Sequence, residues 1–150
     1  MRTALLAFGL LMFAACGPRV VYEQQVSLPG YWSYADSAVF EYTIADTSLA
    51  YNLKLSLQHT DAFATQNLYA RFVTHYPNGT VQSEPVSLEL ADRFGQWLGE
   101  CSGADCTLDL TLQEAARYPE PGTYGLTLHQ YGRSDSLSGV TGIALSVHEY

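Results

Sequence analysis

The segment Leu53-Lys54-Leu55-Ser56-Leu57-Gln58 decides the fold, because leucines alternate strictly with polar residues along it. Successive side chains of an extended strand point to opposite faces, so this pattern predicts a β-strand with one apolar face and one polar face. His59 continues the leucine face and is expected to end a core strand. The segment therefore predicts a strand that is buried on one side only.

Seven further segments share this alternation, with turn-forming Gly, Pro, Asn, Asp and Ser between them. They are residues 22–28, 39–44, 68–73, 86–91, 107–112, 124–129 and 143–148. One-sided strands joined by turns bury their apolar faces when two sheets pack face to face. The chain is therefore predicted to be all-β, an antiparallel β-sandwich of about eight strands, Ig-like or jelly-roll-like. The clearest hairpin signal is Asn78-Gly79, since both residues tolerate positive φ, and only residues 112–117 could add one helical turn.

The residues before the first strand have the pattern of a cleaved bacterial lipoprotein signal peptide. Met1 and Arg2 are followed by a nearly uncharged run at 3–15, which ends in Ala14-Ala15 before Cys16. A basic start, a short apolar middle and small residues before the cleavage site are typical of such a signal. As a helix the run would reach about 20 Å, too short for a hydrocarbon core of about 30 Å. An ordinarily secreted protein remains the alternative.

Cleavage before Cys16 divides the chain into a signal peptide at 1–15, a lipidated tether at 16–20 and a β-sandwich domain at 21–150. Each buried CH2 of an acyl chain contributes about 0.8 kcal/mol, so two or three chains on Cys16 would hold the protein stably on a membrane. The membrane is therefore a predicted partner through Cys16, and the folded body is expected outside the cytosol.

The charge of the mature chain argues against one class of partner. Once Arg2 is removed, six basic side chains remain against 15 acidic ones, a formal charge of −9. Such a body repels phosphate backbones, so nucleic-acid binding is disfavoured and no nucleic-acid partner is expected. Nothing in the composition calls for a cofactor.

Three blocks of residues carry a resemblance to a known family. They are Tyr51-Asn52 with Gln58-His59-Thr60, Asn67-Leu68, Phe72 and Pro77-Asn78-Gly79; Leu88-Glu89-Leu90-Ala91-Asp92 with Gly95-Gln96-Trp97-Leu98-Gly99; and Tyr118-Pro119-Glu120-Pro121-Gly122-Thr123-Tyr124 with Gln130. In their order and spacing, from about residue 21 to 147, they resemble the gliding motility-associated lipoprotein family GldH. The chain departs from that pattern at Gln58, where an arginine is common, and at Cys101 and Cys106, where glycine and polar residues are usual.

The resemblance implies an envelope lipoprotein of Bacteroidetes-type bacteria, an accessory of the gliding machinery and its associated protein secretion. It implies protein partners in the envelope and no catalytic activity. Gly17-Pro18-Arg19-Val20 lacks the acidic residues that resemble surface-export tags, and lacks an Asp directly after Cys16. We therefore expect the outer membrane, facing the periplasm; the inner membrane and the cell surface stay open.

Cys101 and Cys106 are the two thiols left once Cys16 carries lipid. An oxidising compartment favours joining them in a disulfide. Two free thiols remain the alternative, and a zinc site is disfavoured because two further ligands are missing. Metal binding is not expected either from the four histidines, which are scattered along the chain.

The sequence does not support an enzyme. Asp92, Glu100, Asp105 and Asp109 form the densest group of carboxylates, but a catalytic pair needs one carboxylate buried beside another. These four are expected to be solvated near loop ends. No Gly-x-Ser-x-Gly nucleophile motif is present.

Two aromatic clusters stand in or beside predicted loops, around Trp32 and around Trp97. Rings at such positions either cap the core or meet a partner, because Trp and Tyr are enriched in binding hot spots. Trp97 is the first choice for a partner contact and Trp32 the second. The same rings motivate an alternative function, glycan binding by a periplasmic or surface lipoprotein, which full burial of both tryptophans would rule out.

Overall fold

The structure, a computed structural model, describes residues 17–150. These residues form eleven strands and no helix: β1 (Val20–Ser27), β2 (Tyr31–Ser33), β3 (Ser37–Ile44), β4 (Tyr51–Thr60), β5 (Asn67–His75), β6 (Val81–Glu89), β7 (Glu100–Ser102), β8 (Asp105–Ala116), β9 (Gly122–Gln130), β10 (Ser136–Ser138) and β11 (Val140–Glu149). The predicted signal peptide and Cys16 lie outside the described residues. Eight strands are long and match the eight predicted segments; three short ones were missed, because three residues are too few to show alternation.

The strands form the predicted antiparallel sandwich. One sheet has the order β1-β11-β4-β8-β7, the other has the order β3-β9-β5-β6, and β10 pairs with β2 in a small third sheet. The decisive segment lies on β4, in the middle of the larger sheet. There Leu55 stands between Leu145 of β11 and Leu110 of β8.

The core lies between the two sheets and is built from the apolar faces that alternation predicts. Leu53, Leu55 and Leu57 of β4 are buried and meet the inner face of the opposite sheet, where Phe40 and Leu128 are buried. Each such side chain contributes roughly 1.5–3 kcal/mol when it is fully removed from water. His59 is buried at the end of the leucine face, as predicted.

Two local predictions have different outcomes. The Asn78-Gly79 hairpin between β5 and β6 is present, although only Gly79 adopts a positive φ, of 86°. Asn78 instead accepts the Thr80 N–H on its side-chain oxygen at 2.9 Å. No helical turn forms at 112–117, because β8 continues through shifts in its pairing with β4 as far as Ala116. Ala115 there has φ 49°, and its N–H donates to the Asn52 side-chain oxygen at 2.9 Å.

The antiparallel order sorts all connections to two ends of the sandwich. We call one the tether end, because β1 starts there; it holds the start of β1, the end of β11 and the connections at 45–50, 76–80 and 117–121. The other is the far end, with the connections at 28–30, 34–36, 61–66, 90–99, 103–104, 131–135 and 139. The ten residues of β4 span about 33 Å between them, at about 3.3 Å per residue.

Tyrosines fill the core at the tether end. Tyr42 and Tyr118 approach with their hydroxyl oxygens 3.2 Å apart, and the Tyr124 ring lies 4.7 Å from the Tyr118 ring, centroid to centroid. The Tyr124 hydroxyl donates to the Glu120 carbonyl oxygen at 2.8 Å. Burial raises the pKa of Tyr42, Tyr118 and Tyr124 above the ordinary value of 10.0, and for Tyr42 the nearby Tyr118 phenol raises it further.

These raised pKa values predict that alkali unfolds the protein. Below about pH 10 the phenols are neutral in both the folded and the unfolded states. Above it the unfolded chain loses their protons and the folded state keeps them, so the free energy of unfolding falls as pH rises through about 10. Phenolate absorbance should show Tyr42, Tyr118 and Tyr124 ionising only as circular dichroism reports unfolding. Ionisation of these three phenols near pH 10 in a protein that stays folded would contradict this.

Candidate contact site at the far end

Residues 90–98 form a short hairpin at the far end, which we call the Phe94 hairpin. Its turn is organised by Asp92, whose side-chain oxygen accepts the N–H groups of Phe94 at 2.8 Å and Gln96 at 2.9 Å. The backbone of Asp92 pairs with Gln96, and Leu98 donates to the Leu90 carbonyl oxygen at 2.8 Å. A side chain that accepts hydrogen bonds from its own turn fixes the turn locally. The tip of the hairpin therefore has a defined conformation.

The hairpin presents large apolar side chains to solvent. Phe94 at its tip is 76% exposed and Leu98 is 52% exposed. The guanidinium carbon of Arg93 lies 4.7 Å from the centroid of the Phe94 ring, so one face of the ring has a cationic neighbour. Folding gains little from a phenylalanine in this position. Its apolar surface is available to another molecule.

Trp97 lies at the base of the hairpin, partly buried against the core. Its ring is 4.6 Å from the ring of His59, centroid to centroid. His59 is fully buried, and its Nδ1 is 2.9 Å from the Thr60 carbonyl oxygen. A carbonyl only accepts, so Nδ1 is the donor of this bond. Among residues 17–150 the buried Nε2 has no hydrogen-bond partner. Trp97 thus supports the hairpin and keeps an exposed edge.

The prediction that Trp32 takes part in a partner contact is wrong for this fold. Trp32 is fully buried, and its indole N–H donates to the Asp36 carbonyl oxygen at 3.1 Å. It lies on β2, which pairs side by side with β10, so that Trp32 is opposite Leu137 in the register. The sequence did not predict this strand pairing, because β2 and β10 are short and far apart in the chain. A side chain without exposed surface offers nothing to a partner.

A groove of about 950 Å³ opens beside the hairpin, on the outer side of the four-stranded sheet. Tyr69 and Tyr131 line it, 51% and 47% exposed, and they are neighbours because the Tyr131 N–H donates to the Tyr69 carbonyl oxygen at 2.9 Å. The guanidinium carbon of Arg71 lies 4.2 Å from the centroid of the Tyr131 ring. Polar side chains complete the lining, among them Asn67 and Ser87, which are hydrogen-bonded at 3.0 Å.

The groove adjoins the Phe94 hairpin, because Gln66 lines the groove and is hydrogen-bonded to the hairpin. Gln66 lines the groove, and its side-chain amide donates to the Asp92 carbonyl oxygen at 2.8 Å. Its own carbonyl accepts the Leu90 N–H at 2.7 Å. Sequence reasoning singled out the rings around Trp97 but not this groove, since Tyr69 and Tyr131 are 62 positions apart.

The histidines and carboxylates considered as catalytic or metal-binding groups do not converge. Within residues 17–150 no group of three or more His, Cys, Asp or Glu side chains is placed to hold a metal ion. Asp92 holds its own turn, and Glu100, Asp105 and Asp109 are exposed, as expected of solvated residues. Among these same residues there is no helix with the length and apolarity needed to cross a bilayer.

Comparison with known proteins identifies relatives of this chain. Residues 20–147 match the family model described as GldH lipoprotein. A gliding motility lipoprotein GldH homolog from Christiangramia forsetii is 23% identical over 150 residues, which cover 95% of this chain and 91% of that protein.

Two solved structures show distant likeness. The structure of infectious bursal disease virus, Gx strain, matches 97% of this chain with 17% identity and a TM-score of 0.39, but this chain spans only 36% of the viral one. The CBM35 from Cellvibrio japonicus Abf62 matches 90% of this chain and 93% of its own, with 14% identity and a TM-score of 0.34. Neither likeness informs function at these scores.

The structure joins Cys101 and Cys106 in a disulfide, where the two residues face each other across β7 and β8 with Cα atoms 4.0 Å apart.

We predict that the mature protein has this bond in the envelope. For so short a loop the chain-entropy model gives about 2 kcal/mol of stabilisation. Denaturant unfolding should therefore give a free energy about 2 kcal/mol lower for reduced than for oxidised protein. In a C101A/C106A variant a reductant should change nothing, and two titratable thiols in the untreated wild type would contradict the prediction.

Proposed function

This chain belongs to the GldH lipoprotein family, and from that premise we propose that it is a non-enzymatic accessory of the gliding motility and associated secretion machinery, acting through protein contacts. Family membership associates it with gliding motility and with the cell envelope. In the proposal, acyl chains on Cys16 anchor it to the outer membrane, facing the periplasm. The domain division at residues 15 and 20 belongs to the same proposal.

The observation that carries the proposal is the exposed, locally fixed Phe94. Binding hot spots are dominated by large side chains that enter well-packed pockets on a partner. A turn whose backbone is already held in one conformation loses little backbone entropy on binding, so more of the contact energy appears as affinity. Asp92 supplies that fixation, and Leu98 and the exposed edge of Trp97 extend the apolar surface around Phe94.

Charge around the hairpin narrows the chemistry of the partner. The connections and strand ends at the far end hold several carboxylates and few cations; the acidic residues are Asp36, Asp61, Glu89, Asp92, Glu100, Asp105 and Asp135, and the basic ones are Arg93 and Arg133. Complementary charge speeds association and selects the partner. We infer an envelope protein with an apolar pocket surrounded by basic residues.

The variant Phe94→Ala tests this contact, with Val81→Ala as its matched control. Val81 is also an exposed apolar residue on the surface, but it lies at the tether end of β6. Both changes should alter the free energy of unfolding by about 0.5 kcal/mol or less. Only Phe94→Ala should weaken the partner contact, by about 2 kcal/mol or roughly thirtyfold in affinity, as loss of a hot spot does. Crosslinking in the native envelope, with mass spectrometry of the trapped protein, and colony spreading measure this.

Two outcomes separate the function from the contact. If deletion of the whole chain in a gliding host changes neither surface motility nor protein secretion, the proposed function is wrong. If deletion abolishes either one and Phe94→Ala behaves like Val81→Ala, the function stands and the contact residue is wrong.

The groove favours glycan binding as a second candidate function. The tryptophans give this candidate less support than the sequence suggested, because Trp32 is buried. The exposed rings are those of Tyr69 and Tyr131. Sugars bind to sites that combine aromatic faces with amide and hydroxyl groups, and the groove has Asn67, Gln66 and Ser87 beside its two tyrosines. Arg71 steadies the Tyr131 ring through its guanidinium.

Calorimetric titration with soluble peptidoglycan fragments and envelope oligosaccharides tests this second candidate. Tyr131→Ala should abolish the heat of binding, and Val39→Ala, an exposed residue on the same sheet but outside the groove, should leave it unchanged. Equal heats for both variants, or none for the wild type at millimolar sugar, would reject glycan binding in the groove.

A further inference from the structure

The tether end has an exposed apolar surface of its own, formed by Val20, Val21, Leu49 and Tyr150, which we call the tether patch. Tyr150 is 73% exposed and Val20 is 49% exposed. Backbone hydrogen bonds hold the patch together: Glu149 N–H donates to the Arg19 carbonyl oxygen and Tyr150 N–H to the Ala50 carbonyl oxygen, both at 2.9 Å. These bonds bring the start of β1, the end of β11 and the β3–β4 connection side by side.

The short chain between Cys16 and Val20 limits how far the tether patch can be from the membrane. Val20 is only four residues after Cys16. Four residues reach at most about 14 Å when fully extended. Acyl chains on Cys16 therefore keep Val20 within about 14 Å of the point where those chains enter the bilayer. We propose that the tether patch docks on the lipid surface, with its apolar side chains among the headgroups; the inference rests on the lipidation of Cys16 in the proposed function.

The chemistry of the patch suits a lipid surface better than a second protein. Valine and leucine gain about 25 cal/mol for each Å² of apolar surface removed from water, and tyrosine favours the interface, where its ring is buried and its hydroxyl stays hydrated. Arg19 and Glu149 form an ion pair at 3.3 Å, whereas Arg117 donates to the neutral Ser48 carbonyl oxygen at 2.8 Å and stays a single cation. The occupant we infer is a zwitterionic headgroup layer, since no cationic cluster selects an anionic one.

Four apolar side chains are too few to hold an unanchored protein on a membrane. A lipid anchor lowers the entropic cost of their contact with lipid. Once Cys16 is anchored, contact of the patch with lipid is an intramolecular step at high effective concentration. The contact then needs only to orient the body. Docking at the tether end directs the far end away from the bilayer, which would hold Phe94 up to about 30 Å from the lipid surface, given the length of the strands.

Fluorescence quenching by lipid tests the docking with matched reporters. The acylated mature protein is reconstituted in phosphatidylcholine vesicles whose acyl chains have bromine near the headgroup, which quenches nearby tryptophan. Tyr150→Trp places a reporter in the patch and Phe94→Trp places one of similar exposure, 73% against 76%, at the far end. The two native tryptophans also lie at the far end, so the wild type serves as the blank.

We expect brominated lipid to quench about a third of the emission of Tyr150→Trp, the share of one tryptophan in three, and little of that of Phe94→Trp or the wild type. Adding Leu49→Glu to Tyr150→Trp should reduce the quenching at least twofold while the protein still floats with the vesicles. Full flotation with no quenching of Tyr150→Trp would overturn the docking and leave the anchor intact. Equal quenching of both reporters would also overturn it, through the orientation. Loss of flotation would overturn the anchor itself and the docking with it.

Discussion

The burial of the leucine face of β4 against the opposite sheet is the constraint on which the rest of the structure depends. β4 lies between β11 and β8, and its leucines occupy the middle of the core. Because side chains alternate, moving this strand by one residue would place Leu53, Leu55 and Leu57 in water and Lys54, Ser56 and Gln58 in the core. Register is therefore fixed by solvation, and antiparallel pairing then determines which connections meet at each end.

That sorting gives the two ends different physical properties. At the tether end the core consists of tyrosines whose hydroxyls bond to one another and to backbone carbonyls, and the surface has paired charges and apolar side chains. At the far end the core closes with Trp32 and His59, and the surface is acidic around the Phe94 hairpin. The strands between are rigid spacers. The proposed attachment at one end and the proposed recognition at the other both use this difference between the ends of one antiparallel sandwich.

The parts of this arrangement that follow local rules could be predicted from the sequence. Alternation identified the eight long strands and their inner faces, and the Asn78-Gly79 turn identified a hairpin. What was missed depends on partners distant in the chain. β2, which holds the buried Trp32, pairs with the distant β10, and the groove requires Tyr131 to meet Tyr69. The extended course of β8 beyond Leu112 depends on the side chain of Asn52. Periodicity says which face a residue occupies, but not which distant residue covers it.

The exposure of Phe94 also bears on self-association. An exposed ring invites a second copy of the same chain, since apolar patches on a surface bind whatever covers them. Here the same end of each copy would bring together acidic groups such as Asp92, Glu100 and Asp105. Like charges brought together at an interface oppose it, and this opposition is one way in which proteins reject wrong partners. In the proposed contact, the acidic surround would make the hairpin selective, favouring a basic partner with an apolar pocket over another copy of the same chain.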